Sequence, residues 1–155
     1  MSEDPSKSAS TEGLGVRYER LLDQFESELG VSFVNRDLLR RALTRDGYVL
    51  SYEERRPISL SISQHILEEE GDNVLEKKIQ EWIDAIPDQS AFLRISLNSF
   101  LNSNVFFSYL AQRMGIQRYV RIPPDESHAQ GEWAKLFKLA STFEALVGAL
   151  HLDQG

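Results

Sequence analysis

Apolar residues recur at helical spacing along most of the chain. Tyr18, Leu21, Leu22, Phe25 and Leu29 share one helical face, and Gly30 is a C-terminal stop. After Val31-Ser32-Phe33, Asn35 reads as an N-cap and Asp37 falls in the first turn of a short helix. Leu38, Leu39, Ala42 and Leu43 form its apolar face. Gly47 and the stretch Ser51–Pro57 read as loop. The spacing then predicts a long helix from about Leu60 to Ile86. Its stripe is Leu67, Gly71, Val74, Leu75, Ile79, Trp82, Ile83 and Ile86, and Pro87-Asp88 breaks it. Ser90 to Met114 holds a helix or a pair of helices, with Leu93, Leu97, Leu101, Phe106, Phe107 and Leu110 inside and Gly115 as the stop. Tyr119-Val120-Arg121-Ile122 is β-like, but one short piece makes no sheet. Pro123–Gly131 is a loop. A last helix runs from about Glu132 to Leu152, with Trp133, Phe137, Ala140, Phe143, Val147 and Leu150 as its stripe. The expected fold is all-α, with about six or seven helices and no fixed-period repeat.

Composition narrows the function classes. The chain has 155 residues, 41% hydrophobic and 26% charged, enough for one core and one domain. Residues 1–14 are mostly Ser, Glu, Asp, Lys, Pro and Gly and are expected to be a disordered tail, with the domain spanning 15–155. Lys and Arg number 17 against 24 Asp and Glu, a net charge of −7. That argues against a broad basic face, but a carboxylate site neutralised by a metal can still meet nucleic acid. Cysteine is absent, which excludes disulfides, thiolate zinc sites and thiol nucleophiles. A reducing intracellular setting, cytoplasmic or organellar, fits. The N-terminus lacks the apolar segment of a secretory signal, and no apolar run approaches the roughly 18 residues of a membrane span.

Two places break the stripe logic. The first is Glu68-Glu69-Glu70-Gly71-Asp72, inside the long helix. Glu68 and Asp72 are spaced i,i+4, so both carboxylates leave one face. Four acids in five residues repel one another unless solvent or a cation relieves them. Gly71 costs about 1 kcal/mol against alanine in a helix interior and is tolerated where something must approach the backbone closely. A solvated acidic face accounts for such a run as well as Mg²⁺ or Mn²⁺ ligands do. The second place is Glu144, on the apolar stripe of the last helix. A buried carboxylate must be protonated, paired or metal-bound. A structural ion pair with Arg41, Arg45 or Arg94 and a metal are both open. Carboxylates converging from two helices can hold Mg²⁺, and such an ion activates water and polarises a phosphoryl oxygen. His65, His128 and His151 show no ligand spacing, although His65 lies within one turn of Glu68. No phosphate-binding glycine loop or nucleophile elbow is present. Lys135, Lys138, Arg17, Arg20, Arg40, Arg41, Arg55 and Arg56 are the main basic positions, each a solvated surface charge unless a phosphate meets it.

Four ordered blocks resemble the ribonuclease III endonuclease domain. Leu139–Gly155 (LASTFEALVGALHLDQG) is similar to that family's closing "LADxFEALIGAxYLDxG". Ala42–Tyr48 (ALTRDGY) resembles "ALTHRSY", and Glu68–Leu75 (EEEGDNVL) stands where "EFLGDAVL" falls. Leu93-Arg94 opens a stretch similar to the family's "LRxxLVxxxxLAxxAxxLGLxxYLRL", ending at Met114–Ile122. The resemblance covers residues 15–155. It implies an all-α domain, a homodimer and Mg²⁺- or Mn²⁺-dependent cleavage of double-stranded RNA to 5′-phosphate and 3′-hydroxyl ends. The family's acids fall on Glu68, Asp72 and Glu144, which it implies are catalytic and metal-binding.

The chain also departs from the family pattern. The remaining family acid falls on Ser141, which could accept from a metal-bound water but adds no charge. Short relatives called mini-ribonuclease III also lack an acid there and keep the Asp72 and Glu144 pair. The family's "FL" before Gly-Asp is Glu69-Glu70 here, where an aromatic usually packs on the partner subunit, and His65 and Arg45-Asp46-Gly47 also differ. The resemblance ends before the RNA-binding domain that commonly follows, so RNA affinity would rest on dimer geometry and scattered basic residues. Two alternatives stand beside a stand-alone endoribonuclease. One is a catalytically degenerate scaffold that binds RNA or ribonucleoprotein. The other is an unrelated acidic helical adaptor.

Overall fold

The computed structural model describes residues 5–45, 63–122 and 132–155. The loops expected at Gly47, Ser51–Pro57 and Pro123–Gly131 lie outside them, as do Asp46–Tyr48 and the start of the long helix at Leu60. The chain divides into two units, Met1–Ser32 and Phe33–Gly155.

The first unit is helix α1 (Pro5–Leu29). It begins inside the segment 1–14 that composition marks as a tail. Pro5 needs no N–H partner in a first turn, and Lys7, Ala9 and Glu12 are good helix formers. Leu22 and Phe25 are buried. Gly30 closes the helix at φ 73°, where its N–H donates to the Glu26 carbonyl at 2.9 Å.

The second unit contains α2 (Arg36–Ala42), α3 (Gln64–Asp84), α4 (Ala91–Leu101), α5 (Asn104–Arg113), a 3₁₀ turn (Ile116–Arg118) and α6 (Glu132–Gln154). Side-chain caps set the starts. Asn35 accepts from the Asp37 N–H, as expected. Ser63, Ser90 and Ser103 do the same for α3, α4 and α5, accepting from Ile66, Leu93 and Phe106. The stretch 90–114 is thus two helices, parted at Asn102-Ser103. Gly115, at φ 71°, ends the second. Among the described residues no strand forms. The β-like segment makes one parallel bridge, Thr44 to Arg121, with the Arg121 N–H on the Leu43 carbonyl at 2.8 Å.

Helix α6 is the centre of this unit and packs on α3, α5 and α2. Its inward residues Ala140, Phe143, Ala145, Leu146 and Ala149 meet a core that includes Leu39, Leu67, Ile79, Ile83 and Phe107. The Phe107 and Phe143 rings stack at 5.6 Å. The side chains of Trp133 and Phe137 lie outside the described set. The buried Gln64 amide donates to the Ala42 carbonyl at 2.8 Å, tying the start of α3 to the end of α2. Asp153, at the end of α6, accepts from the N–H groups of Asn35 at 2.7 Å and Val34 at 2.9 Å. The Asn35 bond, followed by those from Val34 and Gln154, holds the Asp153 carboxyl below the usual carboxylate range.

Part of the expected core lies on the surface. Trp82 is 61% exposed and Ile86 41%, and α4 buries none of its residues, with Phe92 80% exposed. Helical periodicity marks an apolar face without saying whether this chain alone covers it. No helix of the described residues is long and apolar enough to cross a membrane.

Candidate functional site

The site is built where α3 crosses α6, and two glycines decide how close that crossing is. A Cβ at position 71 would overlap the Glu144 carbonyl oxygen and lie 2.6 Å from its carbon and 2.9 Å from the Gly148 nitrogen. A Cβ at position 148 would overlap the Leu67 carbonyl oxygen and lie 2.8 Å from the Gly71 nitrogen. The two backbones therefore touch, and neither site tolerates any side chain. This is the close approach that Gly71 foreshadowed. Gly148 is the matching residue that sequence reasoning passed over, although a glycine in the interior of a long helix carries the same signal.

That contact brings Glu144 on α6 against Glu68 and Asp72 on α3. The Glu144 side chain is 8% exposed. Burial pushes its carboxyl up to about 7, and the charges of Asp72 and then Glu68 add to the effect. Among the described residues neither Glu144 nor Asp72 has a hydrogen bond or an ion pair. The basic side chains considered for Glu144 are engaged elsewhere. Arg94 pairs with Asp84. Arg45 donates to the Gln64 amide oxygen at 3.3 Å. Arg41 is buried and has no described pairing with Glu144.

Glu68 is half-buried, and its Oε1 accepts from the Ser141 hydroxyl at 3.1 Å. Ser141 itself is 5% exposed and stands one turn before Glu144 on α6. Its proton is directed at a carboxylate, and its oxygen lone pairs keep the acceptor capacity expected of it. His65 places Nδ1 at 4.0 Å from Glu68 and Nε2 at 3.3 Å from Glu69. His151 Nε2 lies 3.7 Å from Glu70, linking α6 to α3 beside the crossing. Asp72 is exposed at the rim, and Glu144 forms the floor.

Among the described residues no group of three or more histidines, aspartates and glutamates forms a metal-holding cluster. The donor chemistry nonetheless suits a hard divalent cation. Two carboxylates lack any partner, one of them is buried, and like charge surrounds it. A cation would offset the burial and the like charge that together raise the Glu144 carboxyl. The basic positions offered for phosphate divide. Lys135 is exposed, Arg40 pairs with Asp37, and Arg41 is buried and so cannot serve as a surface phosphate contact. Arg55 and Arg56 lie outside the described residues.

Comparison with known proteins places the family and the fold. The ribonuclease III domain family matches residues 60–155. The chain is 32% identical over 135 residues to ribonuclease 3 of Nitratiruptor, which covers 86% of this chain and 55% of that protein. It is 30% identical over 135 residues to ribonuclease 3 of Wolinella succinogenes, covering 86% and 52%. It thus spans about half the length of these relatives. The fold matches a nuclease domain of Campylobacter jejuni ribonuclease III, studied for flexibility in a region involved in dimer formation, with a TM-score of 0.66. Identity there is 22%, over 86% of this chain and 87% of that one. The all-α domain that crosses α3 over α6 at Gly71 and Gly148 belongs to the ribonuclease III family.

Proposed function

We propose that this chain is a divalent-metal-dependent endoribonuclease of ribonuclease III type that cleaves double-stranded or structured RNA. One observation carries the reading. Glu144 is buried without a partner and faces Asp72 and Glu68 across a helix crossing whose backbones are in contact. Glu144, Asp72 and Glu68 are the residues that would hold Mg²⁺ or Mn²⁺. A cation held there would polarise a phosphoryl oxygen and lower the pKa of an adjacent water. The chain's own part is to set three carboxyl groups at fixed places. Asp72 stands at the exposed rim, where RNA could arrive, and Glu144 at the closed floor. Glu144 takes its charged form readily once positive charge offsets its neighbours. Phosphate affinity rests on scattered Arg and Lys and would be modest and salt-sensitive.

The partner proposed for the exposed apolar face of α4 is a second copy of the chain. Phe92, Ile95 and Phe100 lie uncovered there, close in sequence to the exposed Trp82 and Ile86. Apolar patches of this kind mark protein interfaces more often than solvent-facing surface. Glu69 and Glu70 stand beside His65, at 3.3 Å, and His151, at 3.7 Å, within the chain.

Incubation with a long RNA duplex across Mg²⁺ and Mn²⁺ tests the activity. Products should form only with the metal and should vanish in Asp72→Asn and in Glu144→Gln. The second reading, a scaffold that binds RNA without cutting, is favoured by Ser141 where the family carries an acid. Tight duplex binding with no product under any metal condition would establish that reading instead.

A further inference from the structure

We propose that Ser141 is a positioning residue that acts through Glu68: its hydroxyl holds the Glu68 carboxylate toward the α3–α6 crossing and completes the cation site without adding a fourth negative charge. This rests on the metal-dependent reading above and deepens it.

Three observations support it. First, the Ser141 hydroxyl donates to Glu68 Oε1 at 3.1 Å across the two helices, and Ser141 is 5% exposed, so water competes poorly for that bond. Second, Ser141 precedes Glu144 by one turn on the same inward face of α6, so its bond draws Glu68 toward the side on which Glu144 stands. Third, Glu144 is more than nine-tenths buried and has no partner among the described residues. A free glutamate at position 68 would sample several rotamers, and repulsion from Asp72 and Glu144 would favour those turned out to solvent. The serine proton opposes that drift. It satisfies one carboxylate oxygen and leaves the other to face a cation or His65 Nδ1, 4.0 Å away.

The arrangement also accounts for the absence of an acid at 141. The charges of Asp72 and Glu68 already act on the buried Glu144, with no lysine or arginine paired to Asp72 or Glu144 among the described residues. A fourth carboxylate would raise the repulsion that a metal-free chain must bear. A neutral donor preserves the geometry and lets the empty site fold. The consequence is a site that binds its cation more weakly than a four-acid site would, in exchange for a metal-free state that is easier to tolerate.

The test is Mn²⁺ binding measured by titration calorimetry on the full chain, with no RNA present. Ser141→Ala should weaken binding about 5–10-fold, the scale of one ordinary hydrogen bond lost. Ser141→Thr keeps the hydroxyl and should bind within about 2-fold of wild type, whereas Ser141→Val, matched in shape to threonine, should fall with the alanine variant. In a Glu68→Gln background, Ser141→Ala should bring little further loss, because the serine acts through that carboxylate. Ser141→Asp should tighten Mn²⁺ binding while lowering the melting temperature of the metal-free chain. Wild-type affinity retained in Ser141→Ala, or an equal loss in the Glu68→Gln background, would overturn the positioning role and leave the metal reading standing. No Mn²⁺ uptake by the wild-type chain would remove the metal reading and this role together.

Discussion

Two stretches of helix α3 meet opposite surroundings. In its first two turns, Leu67 and Gly71 press so closely on Gly148 and Glu144 of α6 that there is no room for a methyl group. At and just past its C-terminal end, Trp82 and Ile86 lie open, and no residue of the following helix α4 is fully buried. The first stretch is acidic in sequence yet holds the tightest described packing. The second buries Ile79 and Ile83 yet turns Trp82 and Ile86 outward. Residue type alone reverses the two environments. Close packing at the crossing sets Glu144 within reach of the Asp72 and Glu68 charges, and the apolar face stays open. The difference separates a crossing closed within the chain from an apolar surface that the described residues leave uncovered.

The sharpest way to break the contrast is at the glycines. Gly71→Ala or Gly148→Ala must push α3 from α6, because the added carbon meets backbone and no side chain can yield. A loss of about 3 kcal/mol or more is expected, or outright failure to fold, read by urea denaturation.

Glu144→Gln should act in the opposite direction. The Glu144 carboxyl is raised from the ordinary 4.5 to about 7, so the folded chain binds its proton more tightly than the unfolded chain does. The resulting penalty is absent below about pH 4.5 and fully developed above about pH 7. The metal-free variant should therefore exceed wild type by about 2 kcal/mol at pH 8, allowing for solvent screening, and should match it at pH 4. Denaturation at the two pH values measures this.

On the open face, Phe92→Glu should cost an isolated chain under about 0.5 kcal/mol, since its ring is already exposed. If α4 seats a second copy as proposed, wild type should sediment as a dimer and Phe92→Glu as a monomer in sedimentation velocity runs. The smallest effect belongs to Asp153→Ala. Asp153 accepts from two backbone N–H groups ahead of α2, and its depressed pKa means its contribution is present at neutral pH and fades as pH falls through that lowered value. The variant should melt slightly below wild type at pH 7, with the gap closing in acid.

The helices were largely legible because caps and stops are local signals. Asn35, Gly30 and Gly115 act as their residue types require. Glu144 was legible as a misfit on an apolar stripe, and Gly71 as an expense in a helix interior. The pairing of Gly71 with Gly148 was not, because no one-dimensional pattern states which two helices touch. Nor was the Ser141 bond to Glu68, since a hydroxyl is equally able to donate or accept until its neighbour is known. Trp82, Ile86 and α4 were misplaced for a related reason. Periodicity shows that a face is apolar, and only the packed chain shows what covers it.

The central claim is that one helix crossing delivers Glu68, Asp72 and Glu144 to a single cation. Paramagnetic Mn²⁺ added in substoichiometric amounts to chain labelled at its carboxyl carbons tests it directly. The signals of Glu68, Asp72 and Glu144 should broaden together and first, before those of Asp37, Asp84 and Glu81, and magnesium should reverse the broadening. Broadening spread evenly over the surface acids, with Glu144 untouched, would contradict the claim.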